Sequence, residues 1–305
     1  GEFGSIYASA TIFSSLLLIW VGKKIDDYKL IYYSLCVVTL LSISSLLFSF
    51  INSIYFLAIG IFLMRFSGQG LMSHTSSTAV SRFFEKTRGK ALSAIWFGLS
   101  TAEFILPVLI TYLFILFSWR TIWQGIAVII LLLLPLIIFK TVKSIKLDSR
   151  EEKIDKLNKI KIKNWKRKEV IKDYRFYIIS LNILAGPWII TGIFVYQSFI
   201  SDAKLWSAFA IPKAFMVYSV TSILSLILSG ILVDRFTSRK LIPIVNIPLF
   251  LSMLTLFTIR DEVSAYIFLG LIGISNGLAN ILGSSTWAEI YGVKYIGSIK
   301  ALTTA

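Results

Sequence analysis

An all-α polytopic membrane fold made of two related helical bundles is what this 305-residue chain predicts, and three observations predict it. The composition is 56% hydrophobic with a mean hydropathy of +0.78, above the range of soluble domains of this length. Apolar runs of about 18 to 25 residues are long enough for helices across a ~30 Å hydrocarbon core and far too long for barrel strands. Signatures also recur 208 positions apart: Gly22 and Asp26 as Gly230 and Asp234, Ser76-Ser77-Thr78 as Ser284-Ser285-Thr286, and Gly89 as Gly297. One offset shared by three signals marks a duplication rather than a chance echo.

Taken in order, the apolar runs predict nine spans. They are Ser5–Val21, Leu30–Phe50, Ile54–Val80, Ala91–Leu116, Ile122–Phe139, Phe176–Ile200, Phe209–Val233, Leu241–Ile259 and Ala265–Ala288. A tenth begins near Gly297. With no initiator methionine and no signal peptide, the chain reads as a fragment lacking a first and a last span. The organisation expected is a first bundle over residues 1–139, a basic linker over 140–175 and a second bundle over 176–305.

Charge fixes the orientation. Lys and Arg crowd the loops Lys23–Lys29, Arg82–Lys90, Lys140–Arg175, Arg235–Lys240 and Lys294–Lys300, whereas the alternate loops hold little beyond Arg120, Lys204 and Arg260. The crowded loops therefore face the cytoplasm. This sidedness also answers the net charge of +15, which otherwise invites a nucleic-acid reading: the excess lies in membrane-flanking loops, with nearly half of the basic residues in the linker. Within the linker, Ile154, Leu157, Ile160 and Ile162 have partly helical spacing, which fits either a helix on the membrane surface or a solvated tether. The single cysteine, Cys36, leaves neither a disulfide framework nor a cysteine metal site.

The repeated turn has a physical logic of its own. A glycine lets two helix ends approach closely, and a carboxylate near a helix start meets the positive end of its dipole. Gly230, Asp234, Arg235, Arg239 and Lys240, and more distantly Gly22, Asp26 and Lys29, resemble the Gly-x-x-x-Asp-Arg turn of the major facilitator superfamily. Asp27 stands where a base is expected, and both copies lack the glycine that follows the aspartate turn. Arg82, Arg88 and Gly89 resemble that family's loop after the fourth helix, and Glu289, Tyr291, Gly292 and Gly297 the counterpart after the tenth. The resemblance maps the two bundles onto helices 2–6 and 7 to the start of 11. It implies two pseudo-symmetric bundles and a cytoplasmic gate in which Asp26 and Asp234 act as latches. The pattern also resembles the monocarboxylate and oxalate–formate exchanging branch.

Charges at membrane depth are functional candidates by default. Arg65 and Glu103 lie inside apolar runs on successive, oppositely directed helices, about 25 and 21 Å from their cytoplasmic ends at 1.5 Å per residue. They are expected to form a buried pair, or a site that binds an anion or moves a proton. At 100° per residue, Gln69, Met72 and Ser76 share the face of Arg65, while His74 lies opposite and is expected to bond a neighbouring helix. In the second half Asn182, Tyr196, Gln197, Asn276 and Asn280 are candidates for the substrate path or for polar contacts between helices.

Duplicated helical halves are the usual architecture of a secondary transporter working by alternating access. The solute expected is small, with an organic anion such as a monocarboxylate favoured by Arg65 and a coupling proton or counter-substrate as its companion. A membrane enzyme and a channel are the competing classes. Neither a phosphate-binding Gly-x-x-x-x-Gly-Lys loop nor a Gly-x-Ser-x-Gly elbow occurs, and one histidine and one cysteine supply few groups for catalysis or a metal. No catalytic residue, cofactor or metal is expected. A monomer in the cell membrane, surrounded by lipid and without a nucleic-acid partner, is the expected setting.

Overall fold

The computed structural model describes residues 2–144, 163–207 and 209–304, without the side chains of residues 2, 103, 104, 107, 108, 111 and 142–144. All regular elements among them are helices. In chain order these are α1 (Glu2–Val21), α2 (Leu30–Phe48), α3 (Ile54–Met64), α4 (Ser73–Phe83), α5 (Arg88–Leu116), α6 (Trp119–Ser144) and α7 (Arg167–Val170). They continue with α8 (Tyr174–Val195), α9 (Gln197–Lys204), α10 (Ala210–Phe236), α11 (Ser238–Leu241), α12 (Ile247–Thr258), α13 (Val263–Tyr291) and α14 (Ile296–Thr304). A π-helical segment, Arg65–Met72, joins α3 to α4. Eight helical stretches among the described residues are long and apolar enough to cross a membrane, and α5 supplies the predicted span over 91–116.

Boundaries follow local chemistry. Ser53 caps α3 by accepting from the Phe56 amide, and Asp173 caps α8 by accepting from the Arg175 amide. The run predicted over 176–200 breaks at Tyr196, so α9 is a separate helix closed by Leu205 in the left-handed region. Gly292, at φ +82°, ends α13 where only glycine is unstrained, and an added Cβ would also meet Asn164. The proposed surface helix through Ile154 and Ile162 lies outside the described residues.

By contact the chain divides into two units: Gly1–Phe83 with Glu103–Arg167 and Tyr291–Ala305, and Phe84–Ala102 with Lys168–Ile290. This division differs from the sequence halves in two places. The start of α5 joins the second unit and α14 joins the first, for a reason found at the aspartate turns described below. In the first unit α2 packs along α6, with Ser42 Oγ donating to the Ala127 carbonyl at 2.8 Å and Phe48 against Trp123 at 4.7 Å. The end of the linker is tied down there too: the Trp165 amide donates to the Tyr291 carbonyl, and Arg167 donates to the Ile19 carbonyl in the last turn of α1. The second unit has a core of Ile190, Ala210, Ala214, Leu249, Phe268 and Ile272.

Candidate functional site

The sequence Arg65-Phe-Ser-Gly-Gln-Gly-Leu-Met interrupts an otherwise apolar helix with polar and small residues, and there the helix widens to i→i+5 bonding. Arg65 opens this segment half-buried. Its Nη1 donates to the Tyr7 hydroxyl at 2.7 Å and to Gln69 Oε1, and its guanidinium sits 4.9 Å from the Tyr7 ring centre. Both Nη1 hydrogens are thereby spent. Among the described residues Nη2 and Nε have no partner, and that edge of the fork is the one that grips a carboxylate in two bonds.

Beside Arg65 lies a cavity of about 130 Å³ lined by Gln69, Thr11, Ser14, Ser15 and Thr304, with Leu18 and Gly70. The α1 residues among them recur at helical spacing, so α1 turns a hydroxyl-bearing face to the cavity. Tyr7 belongs to the same face and was not among the sequence candidates; the run Tyr7, Thr11, Ser14, Leu18 at i, i+4, i+7 and i+11 is the signal that points to it.

The predicted alignment of Ser76 with Arg65 needs correction. The i→i+5 turns add residues to each turn, so the 100° phase does not carry through the segment, and Ser76 instead donates to the Ser73 carbonyl at 3.1 Å. Glu103 falls on α5, and its side chain and any pairing with Arg65 lie outside the described residues.

The second-half candidates sit differently. Asn182 is engaged by its neighbours: its Nδ2 donates to the Ile242 carbonyl at 3.3 Å and its Oδ1 accepts from Asn246 at 2.5 Å. Asn276 donates to Ser222 Oγ at 3.3 Å, and Asn280 donates to Asn276 at 3.5 Å. Tyr196 is exposed at the break after α8, and Gln197 borders a closed crevice with Ile193 and Phe268. Asn276 belongs to a tight seam between α13 and α10. A Cβ on Gly277 would come within 2.6 Å of Ser225 Cβ, and one on Gly273 within 3.1 Å of the Ser222 amide.

At the repeated turns, Asp26 ends a 3₁₀ turn after α1 and accepts from the first amides of α14, Gly297 at 2.9 Å and Ser298 at 2.6 Å, and from the Ser298 hydroxyl. It also pairs with Arg82. Asp234, near the end of α10, accepts from the first amides of α5, Gly89 at 2.6 Å and Lys90 at 3.1 Å. Each carboxylate thus caps a helix start and sits on its dipole. These two caps draw α14 into the first unit and the start of α5 into the second.

Close approach requires the glycines here. A Cβ on Gly297 would collide with Ile25 and Asp26, and one on Gly89 with the Gly230 carbonyl. Gly22 is buried against Ala301 and against His74, whose Nε2 donates to the Gly22 carbonyl at 3.1 Å. Arg88 is buried, whereas Lys29 and Arg235 are exposed, the latter 5.3 Å from the Phe236 ring. The Ser238 and Arg239 amides donate to the Glu289 carboxylate, and the Arg239 guanidinium to the Glu289 carbonyl.

No curated protein matches the chain in sequence. The family profile of the Major Facilitator Superfamily, in contrast, matches residues 1–305, the whole of it. Eight membrane-length apolar helices and that match together make this an integral multi-pass membrane protein, and the chain belongs to the Major Facilitator Superfamily of secondary transporters of small solutes.

Proposed function

We propose that this chain carries a small organic anion, of the size of a monocarboxylate, across the cell membrane by alternating access. One observation carries the reading. Arg65 lies within a membrane-spanning helix, held by two neutral partners, Tyr7 and Gln69, beside a cavity of about 130 Å³. A cation kept at that depth without a described carboxylate partner is expensive unless something anionic visits it.

In this reading the bundles over 1–139 and 176–305 exchange two arrangements around the site while the linker over 140–175 keeps them joined. The turns at Asp26 and Asp234 latch the cytoplasmic side: their caps on α14 and α5 hold one arrangement and release in the other. A proton or counter-substrate supplies the gradient, and the protein works as a monomer in lipid.

The test is uptake of radiolabelled monocarboxylates by the full-length protein in proteoliposomes. Saturable uptake that depends on a proton or counter-substrate gradient, and that is lost in Arg65→Gln, is the expected result. Uptake of uncharged solutes only, or an Arg65→Gln protein that transports anions normally, overturns the anion reading. Non-saturable flux overturns the carrier reading in favour of a pore.

A further inference from the structure

The last residues of the linker hold two helices that the sequence assigns to different bundles. Asn164 and Trp165 lie on the corner between α13 and α14. The Trp165 amide donates to the Tyr291 carbonyl at 3.0 Å, and the two rings meet edge-on at 5.5 Å. Asn164 Oδ1 accepts from the Lys294 amide at 3.3 Å and fills the space that a Cβ on Gly292 would take. Two residues beyond Trp165, Arg167 reaches the other way, its Nη1 donating to the Ile19 carbonyl in the last turn of α1 at 2.9 Å. Carbonyls there form the negative end of the helix dipole, where a cation is favoured. All of these residues fall within the first unit.

The duplication shows the corner to be fitted to this strap. Phe84 stands 208 positions before Gly292. The second copy has glycine, at φ +82°, where the first has phenylalanine, and the space so freed is the space that Asn164 enters. The strap is held unequally at its two ends. On the corner it makes two hydrogen bonds and a ring pair, and Val170 is fully buried just beyond it, before α8. On α1 it makes one charge-assisted bond. When α14 leaves the Asp26 cap, the corner therefore carries Asn164 and Trp165 with it, and the Arg167 bond is the one that breaks.

We propose that Arg167 is the release point of a cytoplasmic clasp formed by the linker. Docked on the Ile19 carbonyl, it holds the corner of α13 and α14 to the end of α1, in parallel with the Asp26 cap on α14. Its release accompanies opening on that side. The proposal rests on the alternating-access reading above and adds a third tie, supplied by the linker, to the two aspartate latches.

The experiment is pulsed electron–electron distance measurement on the full-length protein in lipid nanodiscs. Cys36 is replaced by serine, and spin labels are placed in pairs at the exposed positions 24, 166 and 294. The pair 24–294 should show a short and a long distance, the long one enriched in Asp26→Asn. Arg167→Gln should raise the ratio of long to short by about 10-fold, the worth of one charge-assisted bond. Arg167→Lys, which keeps the cation and a donor, should restore most of the short population and controls for misfolding. The pair 166–294 should keep one distance throughout, while 24–166 splits as 24–294 does. A 24–294 ratio that Arg167→Gln leaves unchanged overturns the clasp and leaves alternating access standing. So does a 166–294 pair that splits while 24–166 stays single. One 24–294 distance in the parent, Asp26→Asn and Arg167→Gln alike overturns both.

Discussion

The two halves of this duplicated chain use equivalent positions for opposite ends. Gly273 and Gly277 lie 208 residues beyond Arg65 and Gln69, and Ser222 lies 208 beyond Ser14. In the second half these positions close a seam, with bare glycine backbone against α10 and Asn276 donating to Ser222. In the first half the equivalents of the two glycines, Arg65 and Gln69, carry the largest polar side chains of the π segment into which the helix widens, and a cavity opens. Both serines are buried, but Ser14 borders that cavity whereas Ser222 accepts from Asn276. A duplicated helix pair can thus serve as a binding surface in one copy and as scaffold in the other, the difference resting on two side chains of one helix, Arg65 and Gln69 against Gly273 and Gly277.

Replacing Arg65 should break the first half's role most severely. Losing two charge-assisted hydrogen bonds, each worth about 1.5–3 kcal/mol, should cut anion uptake by about 100-fold at the least. The melting temperature of Arg65→Gln should stay near that of the parent, separating lost binding from lost fold.

The two aspartate corners sharpen the comparison next. Asp26 forms a direct pair with Arg82 and accepts from two amides and a hydroxyl, whereas Asp234 caps two amides and meets the buried Arg88 through its field. Asp26→Asn should therefore destabilise the protein by about 3 kcal/mol, in the range of a broken buried pair. Asp234→Asn should cost about 1 kcal/mol, the scale of a weakened cap. Chemical denaturation of the two variants in one detergent reads the difference, and equal losses would show the corners to be equivalent after all.

A methyl group distinguishes the two helices directly. Gly277→Ala puts a Cβ where 2.6 Å separates it from Ser225 Cβ, and should cost about 2 kcal/mol through overpacking. Gln69→Ala, at the equivalent position, creates no clash and should cost about 1.5 kcal/mol, the scale of the one charge-assisted bond it takes from Arg65. Smallest of all is Tyr7→Phe, which removes one hydrogen bond to Arg65 and keeps the ring beneath the guanidinium. A loss of anion affinity of about 5-fold is expected.

Much of this was legible in the sequence. Long apolar runs can only be spanning helices, so the spans and their order follow from hydropathy, and the 208-residue offset locates both aspartate turns. Arg65 and Gln69 stand out because charge at membrane depth is costly. Three features were not legible. The π segment depends on how Gly68 and Gly70 settle against neighbouring helices, and it spoiled the phase that had aligned Ser76. Tyr7 meets Arg65 across 58 residues of chain, a contact that periodicity on one helix does not show. The amides that Asp26 and Asp234 cap lie at least 271 and 144 residues away, so each turn announces a helix-capping carboxylate but not which helix it caps.

The one-sidedness of the cavity is tested most directly by reactivity at equivalent positions. With Cys36 replaced by serine, Ser14→Cys and Ser222→Cys are near-isosteric probes of the copy that borders the cavity and the copy held in the seam. In proteoliposomes, a small anionic methanethiosulfonate should modify the thiol at position 14 faster than the thiol at 222. A saturating monocarboxylate should slow the first reaction. Equal modification of the two thiols, or protection at 222 and none at 14, would contradict a binding site built in the first half alone.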